Sequence, residues 1–497
     1  MSRRRALGVI GVGAAALTGC GVPGRSAPAT HSGGAPAVRP KPVVPTGDWA
    51  SVQGGMKKVT DTVGQIQGYA SKTSVSRGES IDFHLSSHLA QTCRVDIHRV
   101  GRGDGPGTRR LMTSTPFPVR PRTRPTPASG TGLIACDWPV SWTLRIPGSW
   151  ESGIFLAVFT TQDGYRSYTP FVVRDTGRRS DILMVVPFTT YQAYNLWPHD
   201  GHTGRNRYRG YTPAGVWGGI DDRALKVSFD RPYPESGLPH WFALDTSAAR
   251  WAESNGYDIT YASSVDLHEG RIDPSNHRVM MFSGHDEYWS REMRDCAEQA
   301  VSAGTHLAFL AANNIYFQIR VEDSAEGRAS RVVTCYKETA DPAPGPTGPT
   351  VRWRQLDTDH RRAEQGLLGV QYNGILKKPA PLVVRESRHW FWSGTGLRDG
   401  DEIPDLIAVE ADGFDPAMPR PAGTKQTLLS ASPYADRLGR GRTVQNTSLC
   451  VNKKGTFVFV AGTFYWPLAL GDPRHFNPHV QRATRNLLTR MLEHSGK

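Results

Sequence analysis

The chain of 497 residues has six cysteines and no C-x-x-C pair, so a thiolate zinc site has no basis in it. No G-x-S-x-G or G-x-C-x-G turn occurs, which removes the usual signature of a nucleophilic serine or cysteine hydrolase. H-E-x-x-H, a phosphate-binding loop and a G-x-G-x-x-G between strand and helix are also missing. Lys and Arg outnumber Asp and Glu by 59 to 46. The densest basic run, R-P-R-T-R-P at 120–125, is broken by proline and holds no stacking aromatics. A nucleic-acid partner is therefore not indicated, and the excess charge suits anionic lipid or cell-wall polymer.

The N-terminus reads as a targeting segment. Ser2-Arg3-Arg4-Arg5-Ala6-Leu7 resembles a twin-arginine n-region, and G-V-I-G-V-G-A-A-A-L is too short to span a bilayer as a mature helix. Leu17-Thr18-Gly19-Cys20 resembles a bacterial lipobox. The expectation is export, with a lipid anchor at Cys20 on the outer face of the cytoplasmic membrane or in the cell envelope. Residues 21–50, rich in Gly, Pro, Ser and Ala, read as a flexible tether.

From about 65 to 175, short alternating runs such as S-I-D-F-H-L, R-V-D-I-H-R-V and G-I-F-L-A-V-F-T-T are separated by turn residues. That pattern predicts an antiparallel β-sandwich of Ig-like type. Outside the membrane disulfides are allowed. Cys93 and Cys136 would staple this segment, and Cys335 with Cys450 is the expected pair among the remaining cysteines. From 180 to 497 the grammar changes. D-I-L-M-V-V-P is a continuous apolar run, and strands then alternate with helical patterns. This predicts an α/β domain with a mostly parallel sheet, interrupted by an inserted lobe at about 325–450 that covers one edge of the site.

Ligands in such sheets bind beyond the carboxyl ends of the strands, so the residues following each buried strand are the ones to collect. They are F-T-T-Y-Q-A-Y-N, D-R-P-Y, G-H-D-E-Y-W-S, N-N-I-Y and T-F-Y-W-P. All five loops carry tyrosine, and one adds a His-x-Glu pair. Phenols, carboxylates and one imidazole are donors for a strongly charged, hard cation, because a metal must displace the phenol proton near pH ~10. Ferric iron fits that demand better than zinc or magnesium. Tyr288, Tyr316 and Tyr465 read as packed aromatics. Asp286 reads as the solvent-side residue of the alternation, and Ser290 as the N-cap of the next helix.

The order T-Y-Q-A-Y-N, F-D-R-P-Y, G-H-D-E-Y-W-S, A-N-N-I-Y resembles the large (beta) subunit of N,N-dimethylformamidase and its relatives. The resemblance implies a sandwich fused to a glutamine-amidotransferase-like (flavodoxin-like) α/β domain. It also implies hydrolysis of a small linear amide at mononuclear Fe(III) held by two tyrosines and a glutamate. Carried over, the glutamate falls on Glu287, the second tyrosine on Tyr233, and the first on Tyr191 with Tyr194 as the alternative. His285 matches a histidine beside the metal, Asn313 a site asparagine, and Glu410 in I-A-V-E-A-D a further acidic residue. A small partner subunit or a homo-oligomer is implied as well. Two other functions are carried forward: a non-catalytic envelope-binding lipoprotein that keeps the fold, and a glycan-processing hydrolase using Asp245, Asp266 and Glu269.

Overall fold

The computed structural model describes residues 57, 59–101, 108–212, 214–439 and 441–493. The expected signal, Cys20 and the tether lie outside the described residues. No helix among the described residues is long and apolar enough to cross a membrane. All of the described residues belong to one compact unit.

Two largely antiparallel layers build the first part, the one parallel pairing being Ser74–Ser76 with Arg166–Arg174. Ile66–Ala70, Ser80–Ser87 and Trp142–Arg145 form a three-stranded sheet. The facing sheet runs Ser74–Ser76, Arg166–Arg174, Gly153–Thr161, Gln91–Val100 and Thr108–Thr113, with Phe117–Val119 also paired to Gln91–Val100. Alternation puts Ile81, Phe83 and Leu85 from one sheet against Val95, Phe155, Phe159 and Phe171 from the other, as sheet-on-sheet packing requires. The outer positions of Gly153–Thr161 are buried too, because Ile154, Leu156 and Val158 face the second part of the chain. Polar contacts join the two parts: Ser74 donates to Asp266 at 2.5 Å, and Arg99 pairs with Glu253 at 2.9 Å.

The second part is organised by a seven-stranded sheet. Its order is Ile259–Ser263, Ser180–Val186, His277–Phe282, His306–Phe309, Phe457–Val460, Ser448–Asn452, Thr424–Leu428. The first five are mutually parallel, and each of the last two pairs antiparallel with the strand before it. The strand Ser180–Val186, flanked by parallel neighbours on both sides, shows why the apolar run is continuous. Ile182, Met184 and Val186 enter one core layer, with the helices Phe242–Ser254 and Pro478–Glu493. Leu183 and Val185 enter the other, with Met293, Ala297 and Ala300 of the helix Arg291–Ala303. Ser290 caps that helix through Met293 N–H, and Gly304 ends it in the left-handed region at φ 94.

Beyond residue 310 the chain is more β-rich than its sequence suggests. Residues 317–452 form short, largely antiparallel strands, two of which extend the main sheet and one of which, Glu410–Gly413, leads to the site. The strand Lys226–Ser228 also departs from expectation. It pairs antiparallel with Val332–Thr334 in a separate four-stranded sheet rather than joining the parallel one.

The expected disulfides are corrected: Cys93, Cys136, Cys296, Cys335 and Cys450 are all free. Cys93 lies in the sandwich core, whereas Cys136 packs with Tyr69, Trp138 and Trp197 in a different cluster. Cys335 faces the carbonyls of Gln318 and Thr350, and Cys450 faces Ser448. Each thiol is held by its own surroundings, so sharing a β-rich segment did not bring sulfurs together.

Candidate functional site

The strand His277–Phe282 ends beneath an irregular stretch, Ser283–Glu287, that carries the first site residues. Gly284 is required there, since a Cβ at that position would lie 2.3 Å from the Asp245 carboxylate. Gly284→Ala is expected to destabilise the protein by about 1–3 kcal/mol through overpacking and to shift the turn; a thermal melt beside the wild type measures it. Thr190, on the helix Phe188–Tyr194, fixes the next residues by accepting from Glu287 N–H at 3.0 Å and Tyr288 N–H at 3.1 Å. The Glu287 side chain, 1% exposed, therefore projects into the space above the strand ends.

Two phenols meet it there. Tyr194 Oη donates to Glu287 Oε2 at 2.8 Å, and Tyr208 Oη lies 2.6 and 2.5 Å from the two carboxylate oxygens. His285 Nε2 is 3.2 Å from Glu287 Oε2 and 3.3 Å from Tyr194 Oη. Its Nδ1 lies 3.0 Å from the Ala312 carbonyl, which only accepts, so the hydrogen sits on Nδ1 and Nε2 is directed at the cluster. Glu410 Oε2 is 4.0 Å from His285 Nε2 and accepts from Asn313 Nδ2 at 2.9 Å. Asp412 in turn accepts from Asn313 N–H at 2.8 Å. Phe464 packs 4.5 Å from the His285 ring, Trp241 packs on Phe464 at 5.2 Å, and exposed His240 stacks on half-buried Tyr194 at the solvent side.

The expected residues thus divide. Glu287, His285, Asn313 and Glu410 come together. Tyr191 and Tyr233 do not join Glu287. Tyr191 Oη donates to Asp245, which also accepts from Ser283. Tyr233 lines a small space with Phe188, Gln192, Arg231 and Arg331, because the strand before D-R-P-Y is not in the parallel sheet. Tyr194, the alternative at the first position, takes one place, and Tyr208 takes the other. Tyr208 sits in R-N-R-Y-R-G-Y, a connection without periodicity, and sequence reasoning missed it. Its segment is fixed by the Asn206 side chain, whose Oδ1 accepts from the N–H of Tyr208 and Arg209 and whose Nδ2 donates to the Tyr194 carbonyl. Asp286 is not on the solvent side: it is 1% exposed, and Thr190 donates to it. Asp245 and Asp266 form no paired catalytic site; Asp266 caps the helix Ser264–His268 and pairs with Arg174 and Arg271. Glu269 pairs with Arg271.

Electrostatics shows what the cluster lacks. Burial, followed by the Glu287 charge, pushes the Tyr194 and Tyr208 phenols well above their usual range. Burial also raises Glu287, but the hydrogen bond and charge of His285, with Lys337 and Tyr208, outweigh it and hold the carboxyl below its usual value. For His285 burial lowers the value, while Glu287 and Glu410 raise it above the ordinary imidazole range. Burial lifts Glu410 to about 7, against the lowering effect of His285 and with a further rise from Glu287. Among the described residues no three His, Cys, Asp or Glu side chains are grouped to hold a metal, so a metal here needs the phenols. Two phenol oxygens within 2.8 Å of the same carboxylate oxygen, with both protons removable by a cation, are a donor set of that kind. The backbone around them is strained: Trp241, Asn313, Lys337 and Val409 all have φ between 54 and 66. Such conformations are concentrated at functional sites.

Fold and site together define a β-rich protein of several sheets that gathers two phenols, a carboxylate and an imidazole above the ends of the parallel strands of its largest sheet. The model of the family described as N,N-dimethylformamidase beta subunit-like, C-terminal, matches residues 94–481, and the chain belongs to that family. The family's name suggests an amide hydrolase. No curated protein matches the chain. Among solved structures, a cycloisomaltooligosaccharide glucanotransferase of Paenibacillus sp., complexed with cycloisomaltoheptaose, is 9% identical. The similarity covers 68% of this chain and 62% of that one, less than two thirds of its length, at a TM-score of 0.16, too low to carry an argument.

Proposed function

We propose that the protein hydrolyses the C–N bond of a small amide at a mononuclear ferric site held by Tyr194, Tyr208 and Glu287. The observation that carries this reading is the contact of both phenols with one buried carboxylate. Bound there, the ion would supply Lewis acidity to an amide carbonyl and to water. The remaining groups handle protons and position. His285, its Nδ1–H tied to the Ala312 carbonyl, presents Nε2 to the reacting side and can pass a proton between attacking water and leaving amine. Glu410, held near neutrality, is the second proton carrier, and Asn313 fixes its orientation. Phe464 and Trp241 wall the site with apolar surface and keep bulk water from it.

The finer architectural reading belongs to the same proposal. The antiparallel layers suit an Ig-like sandwich, and the five-strand parallel core suits a glutamine-amidotransferase-like domain. Export with a lipid anchor at Cys20, and a homo-oligomer or small partner subunit, complete the proposal.

The test is amide hydrolysis by iron-loaded protein, read as amine release from small formamides. The wild type is expected to turn over, and His285→Ala to retain its iron and visible absorption while losing about a hundredfold or more in rate. An iron-loaded wild type that releases no amine from any small amide would overturn the reading.

A further inference from the structure

Next to Tyr208 in the chain lies a charge that no hydrogen bond or ion pair among the described residues balances. Arg207 is wholly buried, and none of its three guanidinium nitrogens has a hydrogen-bond partner. Its backbone is fixed, with N–H donating to the Ala193 carbonyl at 2.9 Å, so the side chain is set in place by a structured turn. Lys337, 5% exposed, is the neighbouring cation. Its ammonium lies 3.7 Å from the Tyr208 ring centre, 4.4 Å from Phe317 and 5.4 Å from Tyr288, and it forms no ion pair among the described residues. The Tyr288 hydroxyl and the Cys335 thiol also lie within electrostatic reach of Arg207. Glu287, the carboxylate that acts on Lys337, is already engaged by Tyr194, Tyr208 and His285.

The chemistry of this place is one-sided. A guanidinium does not lose its proton in a protein, and a buried charge without a partner is strongly unfavourable. A second cation beside it adds repulsion that low dielectric does not screen. Water would supply acceptors but no countercharge. Of the neutral neighbours, the Tyr288 hydroxyl has no hydrogen-bond partner among the described residues and can donate, while the Cys335 thiol is turned to the Gln318 and Thr350 carbonyls. A pair of buried positive charges with no free carboxylate beside it among the described residues is the complement of an anion, and the full burial of Arg207 and Tyr288 restricts it to a small one.

We propose that Arg207, Lys337 and Tyr288 form a buried binding site for a small monovalent anion of the halide class. The site is independent of the amide-hydrolase reading, because it rests on Arg207 and its surroundings and requires no metal or turnover. A bound anion would supply the countercharge that Arg207 lacks, reduce its repulsion with Lys337 and lock the 206–209 turn that carries Tyr208.

The test uses bromide on the full-length protein. Crystals grown in bromide are expected to show an anomalous peak within hydrogen-bond distance of the Arg207 guanidinium. In solution, the unfolding midpoint is expected to rise by several degrees when bromide or chloride replaces gluconate at constant ionic strength, and Arg207→Met is expected to abolish the rise. Should that variant fail to fold, Lys337→Met, read in the same way, is expected to weaken the halide dependence. The wild-type bromide map stands whatever the variants do. A map with only water or a protein acceptor at Arg207, or a midpoint indifferent to halide, would overturn the proposal.

Discussion

Glu287→Gln is expected to leave purified protein with less than about a tenth of the wild-type iron and without its visible absorption. The replacement keeps shape and removes the one carboxylate on which Tyr194 and Tyr208 converge. Tyr208→Phe and Tyr194→Phe are expected to weaken metal retention by about 10–100-fold, in the range lost when metal-site partners are removed. Tyr208→Phe is informative because the ring remains, and with it the stacking of the Lys337 ammonium 3.7 Å from the ring centre. A loss of iron would then report the missing phenol oxygen rather than a collapsed loop. Tyr191→Phe and Tyr233→Phe are expected to keep their iron. Tyr191→Phe removes one of the two side-chain donors to buried Asp245, at a cost on the order of 1–3 kcal/mol in stability. Metal analysis and a visible spectrum on the five variants decide the matter. Iron retained by Tyr208→Phe and lost from Tyr233→Phe would restore the ligand set that the sequence resemblance implied.

Those five substitutions also mark how far the sequence could be read. Buried strands were legible because Ile182, Met184 and Val186 alternate with Leu183 and Val185 between two apolar layers. Ser290 was legible as a cap, and Glu287, His285, Asn313 and Glu410 as residues that meet. The second phenol was not. A-L-K-V-S-F has the composition of a sheet strand, but its pairing with Val332–Thr334 is a tertiary choice that composition does not record. That pairing carries Tyr233 away from the parallel sheet's edge. Tyr208 follows no strand, and its position depends on the hydrogen bonds of Asn206. Tyr191 and Tyr194 share one short helix, and only its docking shows that the later residue faces Glu287. Asp286 was misread because period-two alternation was applied to a stretch that is not a strand.

The metal-free protein is expected to lose stability as pH rises from about 4 to about 7, and Asp412→Asn to reduce that loss. Asp412 is fully buried. Burial, reinforced by the charges of Glu410 and Glu364, raises its carboxyl from 3.8 to about 7 in spite of the Asn313 N–H bond. The folded chain therefore keeps a proton that the unfolded chain releases above about pH 4. Where the folded state binds more protons, stability falls with rising pH, and the fall ends once the folded carboxyl ionises as well. At about 1.4 kcal/mol per unit of separation, this carboxyl alone accounts for at most about 4 kcal/mol. Asparagine keeps the oxygen that accepts from Asn313 and places a neutral donor where Oδ2 has no partner. Urea unfolding of chelated protein at intervals from pH 4 to 8 measures the effect. The variant should match the wild type at the acid end and exceed it by a few kcal/mol at pH 8. A residual slope is expected to remain, because burial lifts Asp245 and Glu410 to about 7 as well. Parallel curves for the two proteins would mean that Asp412 is ionised in the fold from low pH, with a countercharge supplied from elsewhere.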